Sequence, residues 1–220
     1  GKLCLAATAE ASAAVDDGTH GDTDRNIFTP VLDLPDGNVA AQVIAGDLYT
    51  MILAEDGTVF AYGWNGDGRD MPKQGDEENR NTFTKVPLRD GAKAVQVAAA
   101  IPNKDDNNHS RYHTMILAND GRVFASGGNT YGQLGLGDDG LLPLHPDEKN
   151  RDTFTLVTLP DDEKAVQVAA HSSYTMILTE TNSVYACGWN GCGQLGLGHA
   201  EPRNTFTYVR SLGNEKVARQ

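Results

Sequence analysis

The sequence predicts an all-β protein, an incomplete arc of a β-propeller whose blades are four-stranded and antiparallel. Two observations predict this fold. A Gly-rich motif occurs at residues 188–198 and again at 127–137, and a degenerate third copy begins at Gly63. Around each copy the same four short apolar segments recur in the same order, about 50 to 70 residues apart. Four-stranded units repeated around an axis form a propeller.

Each repeat is predicted to contain four strands. In the third repeat they lie at residues 165–170, 174–179, 184–188 and 204–209. Each segment is rich in β-branched or aromatic residues and is bounded by turn formers, which indicates a strand rather than a helix. Asp56-Gly57 and Asp120-Gly121 separate the second strand from the third, and Thr181-Asn182 takes that place in the last repeat. We expect two-residue turns in which both residues of the Asp-Gly pair have positive φ.

The motif Gly-x-Asn-x-x-Gly-Gln-Leu-Gly-Leu-Gly, intact at residues 127–137 and 188–198, resembles the regulator of chromosome condensation repeat. The resemblance extends over nearly the whole chain, because the strands before the motif also follow the family pattern. It implies a seven-bladed propeller, of which this chain holds about half. We expect Leu134, Leu136, Leu195 and Leu197 of the motif to pack between blades.

The alignment of the repeats predicts one propeller segment over residues 1–220, with three full blades and a partial blade at each end. The expected boundaries are a partial blade at 1–38, blades at 39–93, 94–164 and 165–213, and the start of a further blade at 214–220. Residues 1–7 match residues 57–63, so the first blade is expected to begin at its third strand. Unpaired strand edges invite pairing. We expect a segment of a longer protein, with ring closure by a second copy as the alternative.

Charge and cysteine usage narrow the function. The formal net charge is -12, and the basic residues form no cluster larger than a pair. Nucleic-acid binders need a basic patch to displace counterions from phosphate, so no direct nucleic-acid partner is expected. No apolar stretch is long enough to cross a bilayer, so no membrane partner is expected either. Cys4, Cys187 and Cys192 are few and odd in number, which indicates reduced thiols in an intracellular protein, cytoplasmic or nuclear.

The residues offer no catalytic constellation, no cofactor site and no metal site. Gly191, Gly193 and Gly196 match the dinucleotide-binding spacing, but they lie in a loop between strands and not at the start of a helix. Two cysteines, Cys187 and Cys192, are too few ligands for a metal. His113 stands at a repeat position that Tyr49 and Tyr174 also occupy. We therefore expect it to pack or hydrogen-bond within its own blade.

Two insertions interrupt the second repeat, at residues 101–110 and 138–149. Loops that depart from a repeating scaffold emerge on one face and often bind partners. They are equally compatible with tolerated surface loops, because lengthening a loop costs little entropy. The candidate partner-binding residues are Lys104, Asp105, Asp106, His109, Arg111, Leu141, Leu142, Leu144 and His145.

These features predict a non-enzymatic protein–protein interaction scaffold whose partners dock on propeller loops. The partner is expected to be a protein, either a small GTPase or a basic protein steered by the negative charge. The resemblance supplies an alternative, guanine-nucleotide exchange on a Ran-like small GTPase, which needs nucleotide-displacing loops rather than an acid or base. The family's plant ultraviolet photoreceptor uses clustered tryptophans. Trp64 and Trp189 share one repeat position, so the sequence does not indicate that role.

Overall fold

The computed structural model describes residues 4–5, 29–30, 34–46, 49–63, 80–100, 113–137 and 150–209. The strands are β1 (Cys4–Leu5), β2 (Thr29–Pro30), β3 (Ala40–Ala45), β4 (Tyr49–Ala54), β5 (Val59–Gly63), β6 (Arg80–Val86), β7 (Ala94–Ala99), β8 (His113–Ala118), β9 (Val123–Gly127), β10 (Arg151–Val157), β11 (Ala165–His171), β12 (Tyr174–Thr179), β13 (Val184–Gly188) and β14 (Arg203–Tyr208). Short 3-10 turns precede the first strand of each four-stranded sheet, at Pro35–Gly37, Arg89–Gly91 and Pro160–Asp162.

The strands form three four-stranded antiparallel sheets in sequential order, as predicted. Strands β3–β6 make blade one, β7–β10 make blade two and β11–β14 make blade three. Strands β1 and β2 form a separate antiparallel pair in which Cys4 lies opposite Pro30. In blade one Phe60 lies opposite Lys85. Since Cys4 matches Phe60 in the repeat alignment, the β1–β2 pair has the same register as the third and fourth strands of a blade. The start of a further blade, predicted at residues 214–220, lies outside the described residues.

The hydrophobic core lies between blades rather than within one. One cluster joins Met115, Leu117 and Leu134 of blade two to Ile177 and Phe206 of blade three. A second joins blades one and two in the same way. Leu134 is fully buried, and the half-buried Leu136 packs against the first of these clusters. The prediction that these two leucines pack between blades is therefore confirmed.

The turns between the second and third strands differ from the prediction. Each is a three-residue loop, because the N–H of Ala54 donates to the C=O of Thr58 and the N–H of Gly57 donates to the C=O of Ala54. Gly57 has positive φ, whereas Asp56 does not. The carboxylate of Asp56 instead accepts the N–H and the hydroxyl of Thr58, both at 2.8 Å. The prediction of two positive-φ residues was wrong because this side-chain capping stabilises a type I turn followed by one left-handed residue.

A glutamine on the first strand of a blade binds the main chain of the next blade. The amide of Gln42 donates to the C=O of Val97 at 3.1 Å and accepts the N–H of Val97 at 3.2 Å. Gln96 makes the same pair of bonds with Val168, at 2.8 and 3.0 Å. Because Val97 and Val168 are almost fully buried, the two bonds satisfy main-chain groups that water does not reach.

The first residue of the second strand makes a further bond between blades. Tyr49 Oη lies 2.9 Å from Thr114 Oγ1, and His113 Nε2 lies 2.7 Å from Thr175 Oγ1. His113 belongs to blade two and Thr175 to blade three. We expected His113 to pack or hydrogen-bond within its own blade, whereas this bond reaches blade three. A repeat alignment identifies equivalent positions without showing which blade they contact.

Candidate partner-binding face

The strand order gives the arc two distinct faces. Connections from first to second strands and from third to fourth strands leave one end of each sheet, which we call the loop face. Hairpins between second and third strands, together with the 3-10 turns, leave the opposite end, which we call the hairpin face. The N–H of Trp189 donates to the C=O of Ser173 at 2.8 Å, so two of these connections meet at the loop face of blade three.

The Gly-rich motif forms the same compact loop in blades two and three. In blade three Asn190 is fully buried, and its Oδ1 accepts the N–H of Leu195 at 3.0 Å. Its Nδ2 donates to the carbonyls of His199 and Glu201, at 2.7 and 3.0 Å. In blade two Asn129 accepts the N–H of Leu134 at 3.0 Å. The asparagine therefore holds the loop together from inside.

The loop of blade two packs directly on blade three. A Cβ at Gly132, where φ is +79°, would lie 2.5 Å from Asn204 Cα, and one at Gly135 would meet the ring of Phe206. The N–H of Gly137 donates to the C=O of Asn204 at 3.0 Å. These contacts fix the loop as a rigid part of the loop face.

Trp189 lies at the surface of the loop face, 40% exposed. Its ring meets Tyr131 of the blade-two loop edge-on, with centroids 5.2 Å apart. Because Tyr131 belongs to blade two, the aromatic pair spans the boundary between two blades. An exposed tryptophan on a rigid backbone is the type of residue that carries much of the binding energy in protein interfaces.

Trp189 was not among the residues predicted to bind a partner, although the sequence held a signal for it. The equivalent position in blade two is Gly128, and the two loops fold alike. The loop therefore does not need a tryptophan at that position, and a large apolar residue that the fold does not require points to another role.

All of the predicted partner-binding residues lie outside the described residues. Their flanking residues are described, however, and show where the two insertions leave the fold. Ala100 and His113, joined by a 2.8 Å main-chain hydrogen bond, bracket the first insertion, and Gly137 and Asn150 bracket the second. Both pairs lie at the loop face, the face that carries Trp189.

Cys187 and Cys192 differ in burial. Cys187 is fully buried with its Sγ 3.4 Å from the C=O of Gln133, and burial raises the pKa of its thiol well above the ordinary value. Cys192 is exposed, and neither cysteine is in a disulfide. Within the part of the chain that the structure describes, no group of three or more His, Cys, Asp or Glu side chains could hold a metal ion.

The two faces differ in charge. Acidic side chains on the hairpin face are Asp36, Glu55, Asp56, Asp90, Asp120, Asp161, Asp162, Glu163 and Glu180. Some are matched by cations, since Lys93 pairs with Asp56 at 3.4 Å and Arg122 pairs with Asp120 at 2.7 Å. The described part of the loop face carries few charges, among them Glu201 and Arg203. No helix among the described residues has the length and apolar composition needed to cross a membrane.

Three four-stranded blades packed side by side, with Gly-rich loops on one face, define an incomplete β-propeller built from repeats. The family model for the regulator of chromosome condensation (RCC1) repeat matches residues 120–178, and a second model of the same description matches residues 165–194. Residues 120–194 of the chain therefore carry RCC1 repeats. The first match starts in the hairpin of blade two and ends in β12, so the sequence repeat straddles two blades.

Relatives and solved structures agree with this assignment. The ultraviolet-B receptor UVR8 of Arabidopsis thaliana is 28% identical over 186 residues, covering 84% of this chain and 37% of the receptor. The human RCC1-like G exchanging factor-like protein is 34% identical over 90 residues, covering 40% of this chain and 18% of that protein. Yeast RCC1 (Prp20), solved bound to Kap60, superposes with a TM-score of 0.61 at 19% identity, covering 80% of this chain and 38% of that one. The chain thus spans well under half the length of each.

Proposed function

We propose that the chain is a non-enzymatic interaction scaffold whose loop face binds a protein partner, with Trp189 as the central anchor. The observation that carries the proposal is the exposed Trp189 ring supported by Tyr131 across a blade boundary. Tryptophan and tyrosine are enriched among the residues that dominate interface energies. The fixed backbone beneath them lowers the entropy lost when a partner binds.

The insertions extend this surface in the proposal. The insertions at residues 101–110 and 138–149 lie in the chain between described residues of the loop face, Ala100 and His113 for the first and Gly137 and Asn150 for the second. In the proposal the apolar Leu141, Leu142 and Leu144 and the charged Lys104, Asp105 and Arg111 of these insertions also contact the partner. A central aromatic anchor with a polar rim is the usual composition of a protein–protein interface.

The partner in this proposal is a small GTPase or a basic protein. Prp20p from Saccharomyces cerevisiae, whose crystal structure was reported together with its binding to Gsp1p and histones, superposes with a TM-score of 0.60 at 18% identity. A basic protein would be steered toward this chain by the net charge of -12.

The test compares wild-type protein, Trp189→Ala and Tyr208→Ala as baits in a cell extract, with bound proteins quantified by mass spectrometry. Tyr208 is a matched control because it is 48% exposed but lies on the outermost strand, β14. We expect at least one protein to lose about tenfold or more of its binding with Trp189→Ala and to keep it with Tyr208→Ala. Equal binding of every captured protein by the three baits would refute the role of Trp189.

A second candidate function is guanine-nucleotide exchange on a Ran-like small GTPase. It is favoured by the 34% identity to the RCC1-like G exchanging factor-like protein over 90 residues. The assay is release of fluorescent GDP from Ran-type GTPases with and without this chain. Acceleration of about 100-fold, equivalent to about 2.7 kcal/mol off the barrier, would replace the scaffold proposal with exchange. An unchanged release rate would rule out exchange by this chain and leave docking as its activity.

A further inference from the structure

One segment of the loop face, residues 199–203, carries a histidine and an arginine beside the proposed anchor. Arg203 begins β14 and lies opposite Gly188, the residue that precedes Trp189. The fully buried Asn190 donates from its Nδ2 to the carbonyl of His199 at 2.7 Å. One asparagine therefore holds both the loop of Trp189 and the segment that carries His199.

A hydrogen-bond donor faces each nitrogen of the His199 ring. The N–H of Glu201 donates to Nδ1 at 3.1 Å, and Arg203 Nη2 lies 2.8 Å from Nε2. A neutral imidazole has one N–H and one lone pair, and a guanidinium carries donors only. Three donors therefore meet at a ring that has a single lone pair, so one of the two contacts lacks an acceptor.

The lone pair belongs to Nδ1, because the two donors differ in their alternatives. Across the described ranges the N–H of Glu201 has no second acceptor, and the backbone fixes its direction. Arg203 has other acceptors, since its Nη1 reaches the carbonyl of Pro202 at 3.2 Å. Nε2 of His199 therefore carries the proton, and it faces a second donor, Arg203 Nη2. An acceptor that reaches both nitrogens would satisfy them together.

The charge of Arg203 is only weakly neutralised. Its one ion pair among the described residues joins Nη1 to Glu201 at 3.5 Å, and the Glu201 side chain is 77% exposed. Such an exposed pair contributes little. Arg122 has nearly the same exposure, 31% against 32%, but its Nε lies 2.7 Å from the carboxylate of Asp120. Arg203 therefore keeps the capacity to bind a second, better placed carboxylate through Nη2.

The Trp189 ring next to this pair is fixed on two sides. A Cβ at Gly191 would overlap the ring, so the indole lies directly over that glycine, and Tyr131 meets it edge-on. Blade two has Thr130 at the position of Gly191 and Gly128 at the position of Trp189. The large residue in blade three thus occurs with a small one two residues later, which keeps the ring against the loop. A ring held in this way offers a partner an apolar platform of defined orientation.

We propose that His199 Nε2 and Arg203 Nη2 bind a carboxylate of the protein partner, while Trp189 packs against apolar atoms next to that carboxylate. The inference rests on the proposed function, because it names the chemical group that the partner presents beside the anchor. The net charge of -12 repels an acidic surface. The ligand is therefore a single Asp or Glu side chain within an apolar segment, and both nitrogens donate to its oxygens.

The test titrates the isotope-labelled full chain with the acetylated and amidated tripeptide Leu-Glu-Leu and follows the side-chain nitrogens of His199 and Arg203 by NMR. Leu-Gln-Leu is the matched control, since it has nearly the same shape without the carboxylate. We expect saturable shifts of both side chains with Leu-Glu-Leu. Binding of Leu-Gln-Leu is expected to be about tenfold weaker, equivalent to about 1.4 kcal/mol. Equal affinities for the two peptides would overturn the proposal.

The free protein gives a readout that needs no ligand. At about pH 8, where a histidine is ordinarily neutral, His199 is expected to carry its proton on Nε2 and none on Nδ1. The nitrogen shifts of the imidazole ring distinguish the two tautomers. A proton on Nδ1 would contradict the assigned donor and overturn the proposal.

Two substitutions locate the binding at the proposed nitrogens, and the main-chain amide spectrum of each variant checks that it is folded. Arg203→Gln is expected to bring the affinities of the two peptides within about twofold of each other. Arg122→Gln removes the same charge at matched exposure on the hairpin face and should keep the preference. An undiminished preference in Arg203→Gln would overturn the proposal.

His199→Asn separates the two ring nitrogens. Its amide oxygen takes the place of Nδ1 as the acceptor for the Glu201 N–H, but the shorter side chain has no donor at the position of Nε2. Binding of Leu-Glu-Leu is expected to weaken about threefold or more. Unchanged binding would show that Nε2 takes no part and would overturn the assignment of two donors.

Inorganic phosphate at equal ionic strength separates two kinds of anion. It is expected to bind more weakly than Leu-Glu-Leu, because it has no apolar group to pack against Trp189. Tighter binding of phosphate would overturn the assignment to a carboxylate.

Failure of this inference and failure of the proposed function give different results. If Trp189→Ala lowers the capture of a protein from the extract and Arg203→Gln does not, while the two peptides bind equally, the scaffold proposal stands and the carboxylate site is overturned. If no captured protein depends on Trp189 but Arg203→Gln removes the peptide preference, the carboxylate site stands and the role of Trp189 as anchor is refuted.

Discussion

His113 Nε2 lies 2.7 Å from Thr175 Oγ1, and the Thr175 hydroxyl lies 2.7 Å from the carbonyl oxygen of Gln133. A carbonyl only accepts, so the single hydroxyl proton of Thr175 goes to Gln133. His113 is therefore the donor, and its Nε2 carries a proton. One buried relay thus joins the second strands of blades two and three to the Gly-rich loop of blade two.

This relay predicts a difference between two substitutions at His113. His113→Phe removes the donor, so the buried Thr175 hydroxyl oxygen no longer accepts a hydrogen bond. The free energy of unfolding should fall by about 1–2 kcal/mol. His113→Tyr supplies a hydroxyl that can donate, at a position where Tyr49 Oη lies 2.9 Å from Thr114 Oγ1 in blade one, and should recover most of that loss. Urea unfolding of the three proteins measures both effects. Equal losses for Phe and Tyr would contradict the assignment of His113 as a donor.

Gln96 and Gln167 predict a second contrast. Gln96→Ala leaves the buried N–H and C=O of Val168 without the side chain that satisfies them, so stability should fall by about 2 kcal/mol or more. Gln167→Ala in the same chain alters an exposed side chain and should change the free energy of unfolding by less than about 0.5 kcal/mol. Chemical denaturation of both variants decides the matter. A loss of similar size for the two would show that the cost lies in the strand and not in the interblade bonds.

Two glycines of the repeated motif provide a third prediction. Gly132 and Gly193 are equivalent and have similar positive φ, +79° and +73°. A Cβ at Gly132 would lie 2.5 Å from the main chain of Asn204, whereas a Cβ at Gly193 meets nothing within 4 Å. Gly193→Ala should therefore cost about 1 kcal/mol from backbone strain alone. Gly132→Ala should cost about 3 kcal/mol or more, because the two blades have to separate. Thermal unfolding of each variant measures the difference in stability. Equal losses would show that the loop of blade two shifts to accommodate the added methyl group.

The repeats made the blades predictable, because strand type, order and pairing follow from short local segments that recur. The Gly-rich loops and the burial of Leu134 followed from the same comparison. The contacts between blades did not, since Gln96 and Val168 are 72 residues apart and no local pattern links them. A signal was nevertheless present. Gln42, Gln96 and Gln167 recur as a polar residue within an apolar strand, which is hard to explain without a bonding partner.

The turn error and the missed tryptophan have separate physical causes. The Asp-Gly pair suggested a two-residue turn, but the hydrogen bonds from Thr58 to the Asp56 carboxylate favour a longer loop. Trp189 was compared with Trp64 as a possible chromophore pair and not with Gly128 at the equivalent position in blade two. That comparison shows that the loop also forms with glycine at this position.

Asp56 predicts a pH dependence at the hairpin of blade one. The hydrogen bond from the N–H of Thr58 lowers the pKa of Asp56 below 3.8, with further lowering from the Thr58 hydroxyl and from Lys93. A carboxylate whose pKa is lower in the folded state adds stability above its unfolded pKa. That stability is lost as pH falls through the folded pKa. Wild-type protein should therefore lose stability relative to Asp56→Asn below about pH 4.

The measurement is Tm of wild type and Asp56→Asn from pH 7 to pH 2.5. The gap between them should be constant above about pH 5 and should narrow below about pH 4, where the wild-type carboxylate takes up its proton. Lys93→Met serves as the matched control, because Lys93 is a smaller cause of the shift than Thr58. Most of the narrowing should persist in the Lys93→Met background. If it vanishes there, the ion pair and not the Thr58 cap sets the acid sensitivity of this hairpin.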